Sequence, residues 1–322
     1  MASLPRTLPA SWYCSSPLYQ LERRAVFMKA WYLLGPVTRF HVVGEKVDYE
    51  IAQVKLTVIR NSEKARDVKV YDTSTGLEQK SYLSITGLLF ATISDEAPEF
   101  HEYFPDLEVV IDNVDFTKLP YRHGIKYEGR FNWKTMVDGY QECLHCQYTH
   151  PSFATLYPTT FYTVYNHKNF SQHVADPNNY KVDDGLFLYF FPNCTLSVYG
   201  GGLHSFRVCP SEDPGVTRME FDYYHSQSGE KFNEYLKFTR QVSMEDYELC
   251  EIAQQNLEKG IYAEGILNPV KESGVAFYQQ RVLELVCEQH AKDTERREHK
   301  PSTTSESDNH VVTSALVDPA SS

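Results

Sequence analysis

No stretch of this chain reaches about 18 consecutive apolar residues, so nothing in it reads as a membrane-spanning helix. Its opening residues, MASLPRTLPASWYCSS, lack the apolar core of a secretory signal. Positive charge is scarce: 31 Lys and Arg stand against 43 Asp and Glu, a formal charge of −12, which argues against a nucleic-acid partner. Cysteine is sparse and irregularly spaced. The seven cysteines are odd in number and show no disulfide framework, which fits a reducing compartment. Internal repeats are also missing. The expectation is a soluble, cytoplasmic protein with neither a membrane nor a nucleic-acid partner.

What the chain does have is aromatic bulk. With 42% hydrophobic residues, 23 Tyr and 18 Phe, its 322 residues can build a sizeable core with much sheet, as one large domain or two modest ones. Residues 1–20 read as an extended lead-in, and 18–34 as a helix stopped by Gly35-Pro36. Strands are expected at 54–60, 66–72 and 83–93, a small β-rich unit. A lead strand at 120–130 precedes a central helix. Further strands follow at 160–174, 185–191, 195–199, 202–209 and 216–225, with turns at Gly200-Gly201-Gly202 and Asp213-Pro214-Gly215. Helices are predicted at 229–241, at 243–259 (Ser243 capping and Gly260 closing it) and at 274–290. After about His290 the chain is polar and Ser/Thr-rich, the composition of a disordered tail. The fold class is α+β.

Chemistry concentrates in residues 131–151, FNWKTMVDGYQECLHCQYTHP. Trp133, Met136, Val137, Tyr140 and Leu144 form a helical apolar stripe. Glu142 and His145, three apart, are expected on one face of that helix. His150 lies five beyond His145, about 140° further round, so the two imidazoles converge only if the helix bends or ends between them. Pro151 supplies a reason for it to do so. Two imidazoles joined by a carboxylate from elsewhere is the donor set that holds mononuclear Fe(II) with positions open for O2.

The best-placed carboxylate is Asp246, with Glu245 as a rival ligand. Ser243-x-x-Asp246 is also a capping box, which competes with the ligand reading. Either histidine has a competing role as an ordinary core residue. Cys143-x-x-Cys146 could indicate zinc or a redox dithiol. Zinc lacks a second ligand pair, and a redox pair belongs at a helix start, so these cysteines read as small packing residues beside the ligands.

Taken together, Asn132-Trp133-Lys134, Glu142-Cys143-x-His145-Cys146 and His150-Pro151 resemble the mononuclear-iron motif of Rieske non-haem iron oxygenase large subunits. The similarity is greatest to the branch of choline and carnitine monooxygenases. Glu245-Asp246, Leu249-Cys250-Glu251 and Gln254 resemble the family's aspartate-bearing segment, and Gly265 to Pro269 and Glu272 to Val275 have counterparts too. The resemblance spans roughly residues 116–290. It implies a helix-grip catalytic domain there, with Fe(II) on His145, His150 and Asp246, and Glu142 as a bridging carboxylate between subunits of a ring-shaped homotrimer. It also implies O2-dependent hydroxylation beside a quaternary ammonium, and a separate reductase.

The family's [2Fe–2S] cluster is held by Cys-x-His and Cys-x-x-His. The chain is read as lacking both: no cysteine stands between Cys14 and Cys143, and His41 and His101 have no ligand partners. Residues 1–115 thus read as an incomplete Rieske-like β domain, 116–290 as the catalytic domain and 291–322 as a tail. The reading is a choline monooxygenase-like oxygenase, deficient in electron transfer in this form. Its rivals are a non-enzymatic helix-grip ligand-binding protein, a decayed paralogue and, ranked last, an Fe(II) oxygenase using 2-oxoglutarate, whose usual His-x-Asp pair does not occur.

Overall fold

The computed structural model describes residues 4–175 and 185–298. Helices α1 (Ser11–Cys14) and α2 (Ser16–Ala25) lead into strand β1 (Trp31–Pro36). The sequence predicts helix through residue 34. The chain instead turns to strand at Trp31, because β1 is buried along its whole length and pairs with β6. Strands β2 (Lys46–Ile51), β3 (Val54–Arg60) and β4 (Val68–Asp72) make one three-stranded antiparallel sheet, and β1 with β5 (Ser81–Leu83) and β6 (Leu88–Thr92) makes another. Short helices α3 (Phe100–Tyr103) and α4 (Leu107–Ile111) close this unit.

The second layer begins with β7 (Tyr121–Gly129), α5 (Trp133–Tyr140), α6 (Cys146–Thr149) and α7 (Pro151–Leu156). A meander follows: β8 (Thr163–Asn166), β9 (Phe170–Val174), β10 (Leu186–Phe190), β11 (Cys194–Tyr199), β12 (Gly202–Pro210) and β13 (Thr217–His225). With β7 at the edge beside β13, they form a seven-stranded antiparallel sheet in the order β7-β13-β12-β11-β10-β9-β8. The expected single strand at 160–174 is a hairpin, β8 and β9. β10, β11 and β12 are buried at every position, because both faces are covered. Helices pack on one face, while β1 and β2 of the N-terminal unit reach the other at β11 and β12.

Two long helices complete the chain, α8 (Glu230–Glu258) and α9 (Ser273–Glu298). α8 is one continuous helix, not two. The Ser243 hydroxyl donates back to the Thr239 carbonyl at 2.9 Å, a bond that satisfies it inside a helix, so Ser243 caps nothing. α9 continues through the predicted boundary at 290 to Glu298; the rest of the expected tail lies outside the described residues. No helix among the described residues is long and apolar enough to cross a membrane.

The Asn-Trp-Lys triplet anchors α5. Asn132 caps it by accepting from the Lys134 N–H, while its own amide donates to the Pro214 carbonyl at 2.7 Å. Trp133 Nε1 donates to Glu22 of α2 at 2.9 Å, and Lys134 Nζ pairs with the same carboxylate at 2.9 Å, all three fully buried. Burial pulls the Lys134 ammonium below its ordinary range, and Glu22 opposes that pull. Gly274 at the start of α9 lies so close to the Gln141 carbonyl that a Cβ there would stand 2.4 Å from it.

Candidate metal centre

α5 ends at Tyr140, earlier than the apolar stripe predicts. Gln141 is drawn out of the helix by its buried amide, which accepts from His173 Nε2 at 2.8 Å and donates to Ser171 Oγ at 3.2 Å. Burial pushes His173 down to about 3, so it is a neutral ring that accepts from the Tyr162 hydroxyl through Nδ1. Residues 141–145 are therefore a loop, and Leu144 is exposed. Glu142 and His145 do not share a helix face. The Glu142 carboxylate instead folds back on the loop, accepting from the Leu144 N–H and from His145 Nδ1. His145 precedes α6 and His150 separates α6 from α7, where Pro151 sets the break.

This path brings the two imidazoles together, with ring centroids 5.1 Å apart. Asp246, from the middle of α8, completes the cluster. Its Oδ1 lies 2.8 Å from His150 Nε2 and 3.4 Å from His145 Nε2. Ligand atoms of His145, His150 and Asp246 all lie within 4.8 Å of one another, the one such group of three among the described residues. Because α8 does not start at Ser243, the capping role for Asp246 is void. Glu245 is not a ligand in this arrangement: its Oε2 accepts from His150 Nδ1 at 2.8 Å, and Gln241 donates to its other oxygen at 3.0 Å. Each imidazole thus has a carboxylate on Nδ1 and turns Nε2 inward, the outer partnership common to metal-ligating histidines. The sequence reading missed this role of Glu245, although its place beside Asp246 was the available signal.

Burial lowers the His145 imidazolium, but hydrogen bonds with Asp246 and Glu142 outweigh it and hold the group at about 10. His150 is raised by Asp246 and Glu245 against the same burial. Burial raises Asp246, yet the two histidines outweigh that and keep it below the usual carboxylate range. Two imidazole nitrogens and one carboxylate oxygen on a partly open cavity fit Fe(II) with sites left for exogenous ligands.

The cluster stands between two cavities. One, of about 590 Å³ of empty space including its mouth, is lined by Tyr140, Phe153, Phe187, Tyr199 and Phe206 together with His145, His150 and Asp246. The other runs from Glu142, His145 and Asp246 towards Asp138, Leu249 and Tyr262. Cys143 and Cys146 are not merely packing residues: they are joined in a disulfide that encloses His145. Both cluster-ligand spacings do occur in the chain, contrary to the expectation, but outside the N-terminal unit, as Cys143-x-His145 and Cys287-x-x-His290. The first cysteine is in the disulfide, and the second pair lies on α9.

Residues 116–184 and 172–288 match the family described as ring hydroxylating alpha subunit (catalytic domain). The carnitine monooxygenase oxygenase subunit of Acinetobacter pittii (strain PHEA-2) is 25% identical over 217 residues, 60% of this chain and 56% of that subunit, so the aligned stretch spans little more than half of that relative. The quaternary ammonium Rieske monooxygenase CntA in complex with L-carnitine superposes with a TM-score of 0.75 at 17% identity, covering 88% of this chain and 96% of that one. Naphthalene 1,2-dioxygenase from Rhodococcus sp. bound to indole gives 0.64 at 13%, covering 88% and 95%. The α+β architecture expected from the sequence is therefore that of Rieske oxygenase alpha subunits. The match covers more than half of the chain, and the protein belongs to the ring-hydroxylating alpha subunit family through its catalytic domain.

Proposed function

We propose that this chain is the oxygenase component of a monooxygenase that hydroxylates a small organic cation, with Fe(II) held by His145, His150 and Asp246. The observation that carries the reading is that the three inward-turned ligand atoms open onto an aromatic cavity. When bound, Fe(II) supplies the open coordination positions at which O2 is activated. The protein's own part is positional. Glu142 and Glu245 fix both rings so that Nε2 faces inward. Phe153, Phe187 and Tyr199 lie within 6.5 Å of one another, ring centre to ring centre, and make one aromatic wall of the cavity. Such a cluster suits a quaternary ammonium, whose charge is attracted to ring faces. Glu142 and Asp246 add negative charge, and no Lys or Arg lines the cavity among the described residues.

The net reaction, substrate-H with O2, two electrons and two protons giving substrate-OH and water, needs electrons from outside. Lacking cysteines between Cys14 and Cys143, the chain draws them from a separate reductase or donor. The second cavity, which Glu142 borders, is the side on which a neighbouring subunit of a homotrimer would approach. The test is single turnover of iron-loaded protein with a chemical reductant, O2 and choline, glycine betaine or carnitine. Hydroxylated product that carries oxygen from O2 and disappears in Asp246→Ala supports the reading. Binding of these cations with no product from any of them contradicts it and favours a ligand-binding protein.

A further inference from the structure

The Cys143–Cys146 disulfide lies within the segment that carries His145. Residues 141–145 form a loop between α5 and the four-residue α6, a helix too short to be stable by itself. What shapes this loop is the Glu142 carboxylate and the Cys143–Cys146 disulfide, whose ring contains Leu144 and His145. Cys146 Sγ lies 3.9 Å from His145 Nε2, the nitrogen turned towards the ligand cluster. Both sulfurs belong to residues only 4% and 5% exposed, yet both line the cavity that holds His145, His150 and Asp246. A small reagent that enters the cavity therefore reaches them.

We propose that Cys143 and Cys146 are a reversible redox pair that sets how tightly the His145–His150–Asp246 site holds its metal. The proposal rests on the metal-site reading above. In the oxidised state the S–S bond closes the ring around His145 and keeps its Nε2 beside Asp246. In the reduced state that constraint is gone, and around His145 the Glu142 hydrogen bonds order the loop, which stays anchored at its start by Gln141. Oxidation by hydrogen peroxide forms the S–S bond and breaks the O–O bond. The two thiols give up two electrons and two protons, and two waters leave. Reduction by a small dithiol runs through a mixed disulfide, after which the dithiol departs as its own disulfide. The site is thereby strengthened under oxidising conditions and weakened under reducing ones.

The experiment uses anaerobically purified full-length protein, one portion treated with dilute hydrogen peroxide and one with dithiothreitol, each then desalted. Thiols counted after denaturation are expected to be seven in the reduced form and five in the oxidised, the missing two mapping to Cys143 and Cys146. Co(II) titration of the same samples is expected to show binding tighter in the oxidised form by on the order of tenfold, the size of effect typical when a ligand loses its outer support. Cys143→Ser/Cys146→Ser should bind with the weaker affinity whatever the treatment. Seven thiols after peroxide overturn the proposal, as does equal Co(II) affinity in the two states. Tighter binding after reduction with a sulfur-to-cobalt charge-transfer band also overturns it and makes Cys146 a ligand. Disulfide formation with no Co(II) bound in either state sinks the metal-site reading, and this proposal with it.

Discussion

Glu245 and Asp246 are neighbours on α8 yet meet opposite nitrogens of one imidazole. Glu245 Oε2 lies 2.8 Å from His150 Nδ1, and Asp246 Oδ1 lies 2.8 Å from Nε2. One carboxylate orients the ring and the other shares its inward side. Substitutions at the two positions should therefore differ in kind. Asp246→Ala removes a donor and should abolish measurable Co(II) binding. Glu245→Ala leaves all three donors and should weaken Co(II) binding by about 10–100-fold. Glu245→Gln, which can still accept from Nδ1–H, should recover part of that loss. Equal losses at the two positions in a metal titration would contradict the assignment.

The buried Glu22–Lys134 pair ties α2 to α5 and so fixes where the loop carrying Glu142 and His145 begins. Lys134→Met should leave Glu22 buried without its cation and destabilise the chain by about 3–5 kcal/mol. Lys134→Met with Glu22→Leu should regain much of that, since an apolar pair of similar volume removes the orphaned charge. Urea unfolding of the two variants checks this. A double variant no more stable than the single one would show that the Trp133–Glu22 hydrogen bond dominates.

Asp138 gives the chain a pH signature. Burial pushes its carboxyl up to about 6, although donors on Tyr278, Tyr13 and Gln279 pull it down. Tyr13 donates to it at 2.7 Å and Gln279 at 2.6 Å. The unfolded value is near 3.9, so the folded state binds this proton more tightly. The resulting stability is present below about pH 4 and lost as pH rises through about 6. Asp138→Asn removes that loss. The difference in unfolding midpoint, variant minus wild type, should grow from pH 4 to pH 7. A difference constant over that range would contradict the buried-carboxyl account.

The aromatic wall is testable without turnover. Tyr199 lies 5.7 Å from Phe187 and 6.5 Å from Phe153, ring centre to ring centre. Phe187→Ala and Tyr199→Ala should each weaken choline binding by roughly 2–30-fold, the span of about 0.5–2 kcal/mol for a cation on a ring face. Calorimetry with choline and its neutral isostere 3,3-dimethylbutanol makes the distinction. Equal losses for both ligands would mean shape rather than charge is recognised.

Much of the candidate site was legible because its residues lie close in sequence. Asn132, Trp133, Lys134, Glu142, His145 and His150 fall within 19 positions, and their order carries the family resemblance. Strand positions in the meander were legible too, since their turns carry Gly, Asp and Pro. Long-range bonds hid the rest. Gln141 leaves α5 because His173 and Ser171, some 30 residues away, need its amide. Trp31 to Leu34 have a helical pattern, but pairing with β6 makes them strand. Ser243-x-x-Asp246 has the form of a cap, and only the unbroken α8 shows that it is helix interior. The cysteine disulfide and the role of Glu245 also required the loop geometry.

The most direct test of the account is iron and acid-labile sulfide content of anaerobically purified, Fe(II)-reconstituted protein, beside His145→Ala. About one iron per chain without sulfide is expected, and none in the variant. Iron accompanied by stoichiometric sulfide, iron retained in His145→Ala, or no iron in either protein would contradict it.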